Sequence, residues 1–300
     1  MGRVVGRARR GADTIKSPQR FTLDNRGIWS VDSWTPNSQA LLFSSSQNGS
    51  AEIFRKGLHE NIEEAIVCGA EGYRCARLTA DGSWLLYVEW TSAAPGAAPS
   101  PDRLMRRPAS GGSPEVVLEE PGGEGDAPGL YVWEYKCPFK PGSPCVLAEK
   151  NGNDLDFYSL DPVRGKGKHL GKIEVWRFMN WDVSPDGSRL ALIGQSGDKH
   201  LGKIEVLTSS DGTWQEISPE RDPGLLMLIA WTADGKGFFV TSWENDSIDV
   251  LHVTLAGKVE PLIRNGYRQG VGKLLPSPDG KYLAYAAGST DSNVWILEGF

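Results

Sequence analysis

The chain has 300 residues, 36 of them glycine, 19 proline and 11 tryptophan, and a formal net charge of −6. A negative balance offers no general attraction to phosphates, which excludes nucleic acid as a partner of this chain alone. No run of about 18 apolar residues is present, so no membrane-spanning helix is expected. No long stretch has the 3.6-residue apolar period of a helix either, and a length near two ordinary domains reads better as one large β architecture.

In chain order, residues 1–17 come first as a basic tail or linker in which Arg3, Arg7, Arg9, Arg10 and Lys16 face a single Asp13. The Arg9-Arg10 pair lacks the apolar segment that a twin-arginine export signal needs. "PQRFTL" (Pro18 to Leu23) then reads as a short strand. Beyond it, one phrase recurs: "WTPNS" from Trp34, "LTADG" from Leu78, the degenerate "FKPGS" from Phe139, "VSPDG" from Val183, "WTADG" from Trp231 and "PSPDG" from Pro276. Proline presets the first corner of a tight turn, aspartate bonds its own backbone, and glycine accepts the positive φ that closes it.

Asn37, Asp81, Pro141, Asp186, Asp234 and Asp279 stand 44, 60, 45, 48 and 45 residues apart. A period of about 45 residues is that of one four-stranded propeller blade. Each phrase precedes an apolar strand ("QALLFSS", "SWLLYVEW", "SRLALIG", "KGFFVTS", "KYLAYAA"), then a loop and a third strand such as "AEIFRKG" or "NVWILEG". The reading is an all-β chain whose residues 18–300 form a single six-bladed β-propeller. The last blade lacks a fourth strand, and the N-terminal strand is expected to complete it, which removes a vulnerable sheet edge.

The exact duplicate "HLGKIEV" at His169 and His200 is 31 residues apart and is not the period. It falls in the fourth strand of blade three in one copy and before the third strand of blade four in the other. Gly197 to Lys203 fits the first seven positions of a phosphate-binding loop. The fit fails at Ile204, where Ser or Thr is needed, and "IEVLT" predicts a strand in place of a helix.

The four cysteines have no zinc spacing. Cys137 and Cys145 flank the turn-rich "PFKPGSP" and are expected to form a cross-hairpin disulfide in an oxidising compartment, or to remain two buried thiols in a reducing one.

Loops between second and third strands and between blades emerge on one face, and both long insertions, Thr91 to Pro101 and Glu119 to Gly129, belong to it. Aromatic and arginine residues gather there just before the inner strands: Tyr73 and Arg74, Tyr131 and Trp133, Trp176 and Arg177, Tyr267 and Arg268. These are the candidate ligand-binding residues, offering stacking surfaces and charge-assisted donors. The bland alternative is that the aromatics pack between sheets while the arginines cap carbonyls. Asp154, Asp198, Asp246 and Asp291 read as turn residues and solvated charge, not as a cation site.

No "GxSxG" elbow occurs, and His59, His169, His200 and His252 lie in unrelated contexts. "SSDGTW" from Ser209 has part of a sialidase aspartate box but reads more simply as a strand-to-strand turn. The expectation is a non-catalytic propeller with no cofactor and no metal, binding a protein, peptide or small molecule on its loop-rich face. The alternative is a propeller hydrolase of lactonase or glycosidase type with carboxylates at the channel mouth.

The turn phrases resemble the TolB-like, WD-repeat-like propeller family, whose blade motif reads approximately W-S-P-D-G-x-x-L-A-F. The stretch from "CPFKPGSPCVLAEKNGNDLDFYSLD" through "WDVSPDGSRLAL", "DGKGFFVTS" and the terminal "DSNVWILEGF" is similar to the C-terminal propeller of acidobacterial winged-helix regulators and eukaryotic-like serine/threonine kinases. That resemblance implies a sensory or interaction module of a bacterial signalling regulator. No kinase "HRD" or "DFG" is present and 17 residues cannot hold a winged helix, so the effector domain is expected to be lacking or to lie upstream. The kinase-linked relatives imply a propeller outside the cytoplasm; the winged-helix ones leave the compartment open. Replacing Arg177 and Arg268 together is expected to weaken ligand binding while thermal unfolding stays unchanged, and equal affinity would retire that pair.

Overall fold

The computed structural model describes residues 18–21, 28–46, 50–90, 102–119, 133–174, 179–194, 202–244, 247–267, 271–287 and 293–299. The basic tail 1–17 and the insertions at 91–101 and 120–129 lie outside the described residues. After β1 (Gln19–Arg20), blade one is β2 (Ile28–Trp34), β3 (Ala40–Ser45), β4 (Glu52–Gly57) and β5 (Glu64–Val67). Blade two is β6 (Gly72–Leu78), β7 (Trp84–Trp90), β8 (Arg103–Pro108) and β9 (Glu115–Glu119). Blade three is β10 (Trp133–Lys136), β11 (Cys145–Asn151), β12 (Asp154–Asp161) and β13 (Gly165–Glu174). Blade four is β14 (Met179–Val183), β15 (Arg189–Gly194), β16 (Ile204–Thr208) and β17 (Thr213–Ile217). Blade five is β18 (Leu225–Trp231), β19 (Gly237–Glu244), β20 (Ser247–Thr254) and β21 (Val259–Tyr267). Blade six is β22 (Val271–Pro276), β23 (Tyr282–Ala287) and β24 (Asn293–Glu298).

Within each sheet the strands follow chain order and pair antiparallel, and the last sheet runs β1-β24-β23-β22. The chain is therefore an all-β, six-bladed β-propeller whose last blade is completed by the N-terminal strand. Gln19 stands opposite Ile296, and the Phe21 N–H donates to the Val294 carbonyl at 2.8 Å. Both copies of "HLGKIEV" fall as the 45-residue register predicts, the first ending β13 and the second leading into β16. Two compact units carry three blades each, one comprising Arg26–Glu174 and the other Val175–Phe300 with Met1–Asn25.

The second strands are apolar because they pack into the seams between blades of the same unit. Every residue of β3 is buried, as are the first six of β19, whereas the outer β9 and β17 are largely exposed. Leu42, Ile53, Tyr73, Ala76 and Leu85 fill the seam between blades one and two, and Leu86, Leu104, Tyr135, Leu147 and Leu160 that between two and three. In the other unit Ile193, Val206, Trp231 and Phe238 join blades four and five, and Phe239, Leu274, Leu283 and Tyr285 join five and six. Each large apolar side chain among them contributes about 1.5–3 kcal/mol by leaving water.

The repeated phrase folds into one clamp. The Thr79 hydroxyl donates to Asp81 Oδ1 at 2.6 Å and accepts the Trp84 N–H at 3.1 Å, while Asp81 Oδ1 also accepts the Ser83 N–H at 3.0 Å. Ser184 does the same with Asp186 and the Arg189 N–H, Thr232 with Asp234 and Gly237, Ser277 with Asp279 and Tyr282, and Thr35 with Asn37 and Ala40. The five hydroxyl-bearing residues are all at least nine-tenths buried, so each needs these partners. The turn ends in a positive φ at Gly82, Gly187, Gly235 and Gly280, and Ser38 takes that conformation in blade one.

Blade three departs from this pattern, because Phe139 stands where the hydroxyl would be and Pro141 where the carboxylate would be. There Cys137 and Cys145 form a disulfide across the ends of β10 and β11, whose last pair is Lys136 opposite Val146. A covalent link thus joins the same two strands that the hydroxyl–carboxylate clamp joins elsewhere.

Burial works against the charge on Asp186, but the Ser184 hydroxyl, the Ser188 N–H and hydroxyl and the Arg189 cation outweigh it and hold the carboxyl at about 2 against an ordinary 3.8. A carboxylate depressed on folding stabilises above its unfolded value and stops doing so as pH falls through its folded one. Asp186→Asn is therefore expected to cost about 1 kcal/mol at pH 7, a value reduced by the solvent that reaches the turn. In urea melts the gap from wild type should close as pH falls from 4 to 2 (limits set by those two values); a gap constant with pH would refute the assignment.

Candidate functional site

Blade two brings the predicted Tyr73 and Arg74 to the end of the sheet where β6 begins and β7 ends. The two side chains part there, as neighbours on a strand must. Tyr73 turns inward, only 8 % exposed, and meets the Tyr87 ring edge-on at a centroid distance of 5.8 Å. Burial, with Glu89, Glu71 and Cys68 adding to it, raises the Tyr73 phenol above 10.0. Arg74 stays at the surface, ion-paired to Asp102 at 2.5 Å, with its guanidinium carbon 5.9 Å from the Trp90 ring centroid. On the opposite face of the sheet, with Tyr73, Arg103 bonds Glu119 at 3.1 Å and approaches Glu89 at 3.5 Å. Arg74, Asp102 and Trp90 thus form a partly exposed ion pair against a tryptophan.

Of the other candidates, Tyr131, Trp176, Arg177 and Arg268 lie outside the described residues. Backbone places Trp133 as the first residue of β10 and Tyr267 as the last of β21, opposite Ile248. Asp154 opens β12 and pairs with Lys172 at 2.7 Å, which fits a solvated surface charge; Asp198, Asp246 and Asp291 are outside the described residues. His169 meets Asp156 at 2.9 Å on the outer strands of blade three, and His252 packs 5.7 Å from Phe239. No group of three His, Cys, Asp or Glu side chains converges on a metal position among the described residues.

A second group, which the sequence did not signal, sits on the inner strands of blades one to three. The β6–β7 register slips between Arg74 and Arg77, and Cys75 adopts a φ of +58° there. The bulge points two carbonyls away from the sheet, and both are captured by side chains of neighbouring blades. Tyr135 donates its hydroxyl to the Cys75 carbonyl at 2.5 Å, and Ser33 donates to the Ala76 carbonyl at 2.8 Å. Asp32, fully buried, accepts the Ser44 hydroxyl. Burial first and Cys75 next raise the Tyr135 phenol well above 10.0; Arg77 opposes them and Asp32 adds to them. Blades four and five use the same device, with Asn180 and Asp182 side chains accepting the Ile229 and Trp231 N–H groups, each at 2.9 Å. The signal available in sequence was only a polar residue near the end of each inner strand; the bulge that aims the carbonyls left none.

No protein-family model and no curated protein sequence matches the chain. Among solved structures, TolB from Acinetobacter baumannii superposes at a TM-score of 0.56 and 13% identity over 90% of this chain and 63% of that one. The chain thus spans less than two thirds of that TolB. An oligogalacturonate lyase in complex with manganese superposes at 0.57 and 12% identity, over 98% of this chain and 95% of the other. At such identities the likeness establishes the propeller fold shared with TolB and nothing finer.

Tyr135→Phe removes the clamp on the Cys75 carbonyl. It is expected to lower stability by about 1–2 kcal/mol and to speed alkylation of the Cys75 thiol relative to the exposed Cys68. An unchanged melting temperature with unchanged Cys75 reactivity would show the hydrogen bond to be idle.

Proposed function

We propose that the chain is a non-catalytic binding propeller, the sensory or interaction module of a bacterial signalling regulator, which takes a protein or peptide at the blade ends where second strands meet third strands. The observation that supports this reading most is the Arg74–Asp102 pair over Trp90. Interface hot spots favour Trp, Tyr and Arg, and an arginine whose fork is already oriented loses little entropy on docking. In blade five, Trp243 occupies the same place, eleven residues after the turn threonine Thr232 as Trp90 is after Thr79. It is 47% exposed, although large aromatics are normally covered. The resemblance to acidobacterial regulator propellers agrees with an interaction role.

The competing reading is a propeller enzyme, and the structural likeness to a lyase is the observation in its favour. The two separate by experiment. Peptides selected on the immobilised chain from a random library are expected to bind the Arg74→Gln/Trp90→Leu variant at least about tenfold more weakly than the wild type, at an unchanged melting temperature. Equal affinity for both proteins would refute the patch. Turnover of oligogalacturonate or of lactones, with no peptide selected, would refute the binding module.

A further inference from the structure

Arg77 differs from every other arginine of its blade. Arg74 is held by Asp102, Arg103 by Glu119, Arg106 by Glu115 and the Pro162 carbonyl, and Arg107 by the Ile66 carbonyl. Arg77 is 9% exposed, yet its Nε has no hydrogen-bond partner and no carboxylate pairs with it among the described residues. Nε is fully enclosed, so the exposure that remains belongs to the rest of the side chain. A guanidinium stays ionised at every physiological pH, and a buried cation with no directly paired carboxylate costs several kcal/mol, roughly, after relaxation.

The surroundings fix this side chain in place. Arg77 follows directly on the bulge at Cys75 and Ala76, whose carbonyls are pinned by Tyr135 on one side and Ser33 on the other. Both pins are themselves buried, Tyr135 at 1% and Ser33 at 5% exposed. The direction in which the strand presents Arg77 is therefore set by two neighbouring blades and by a left-handed backbone at Cys75 that a non-glycine residue adopts only when its context demands it. Such a preorganised, unpaired fork matches the two oxygens of a carboxylate or phosphate. Asp32 acts on the same Tyr135 phenol as Arg77 does, so the local field already holds one negative charge. That favours a singly charged group over a dianion.

We propose that Arg77 anchors a binding site for the carboxylate group of a small ligand, with the clamped bulge as its rigid support. The site is distinct from the Arg74–Trp90 patch and stands or falls independently of it.

The probes are sodium acetate and inorganic phosphate, each titrated into the full chain at constant ionic strength made up with chloride, with the melting temperature as readout. Wild type is expected to rise saturably with acetate, and less with phosphate. Arg77→Met should melt higher than wild type without added anion, because it removes a buried charge that has no paired carboxylate among the described residues, and should lose the acetate response. Arg77→Lys keeps the charge without the fork and should shift the acetate midpoint to at least about tenfold higher concentration. A wild type indifferent to both anions, or an Arg77→Met variant that responds as wild type does, would overturn the proposal. A stronger response to phosphate than to acetate would overturn the carboxylate assignment. An Arg77→Met variant that melts lower than wild type and leaves the acetate response intact would make Arg77 a structural residue.

Discussion

The structure depends on a buried hydroxyl that is bonded twice. In five of the six blades a Ser or Thr at the end of the inner strand donates to a carboxylate or amide oxygen two residues on and accepts the backbone N–H five residues on. Each clamp fixes the register of the two most buried strands of its blade. A one-residue slip would send every apolar side chain of the second strand to the wrong face. The turn thus secures the packing of the blade seams, and the packing in turn buries the hydroxyl that makes the turn necessary.

Blade three shows that the constraint is geometric and independent of one chemistry. With Phe139 and Pro141 at the clamp positions, the Cys137–Cys145 disulfide ties the same strand ends. Neighbouring inner strands belong to different sheets and share no ladder, so side chains carry the bonds between them. Ser33, Tyr135, Asn180 and Asp182 each reach a backbone group of an adjacent blade. These bonds orient one blade on the next within each unit and satisfy the backbone groups that they reach.

Against that background the arginines of blade two fall into three kinds, one of them Arg107, held by the Ile66 carbonyl. Arg74, Arg103 and Arg106 are paired with carboxylates at the blade surface, where such pairs add little stability and present oriented charge. Arg77 is largely buried and has no directly paired carboxylate among the described residues, a condition that a folded protein tolerates at a cost. The residues of the two proposed sites thus lie on one strand, three residues apart along β6.

The sequence by itself determined the number of blades, the place of every turn phrase and the completion of the last blade by residues near Pro18, because each is encoded by local chemistry: a turn needs its aspartate and glycine, and a period needs only counting. It also marked Tyr73 and Arg74 as a notable pair, and Cys137 and Cys145 as neighbours. Tertiary structure alone decided that Tyr73 packs inward while Arg74 faces out, that the phrase works through its Ser or Thr as much as through its Asp, and that Arg77 has no paired carboxylate among the described residues. Those outcomes turn on a bulge at Cys75 and on partners from other blades 43 and 60 residues away in the chain. No local pattern reports a contact whose two halves are brought together only by the packing of separate sheets.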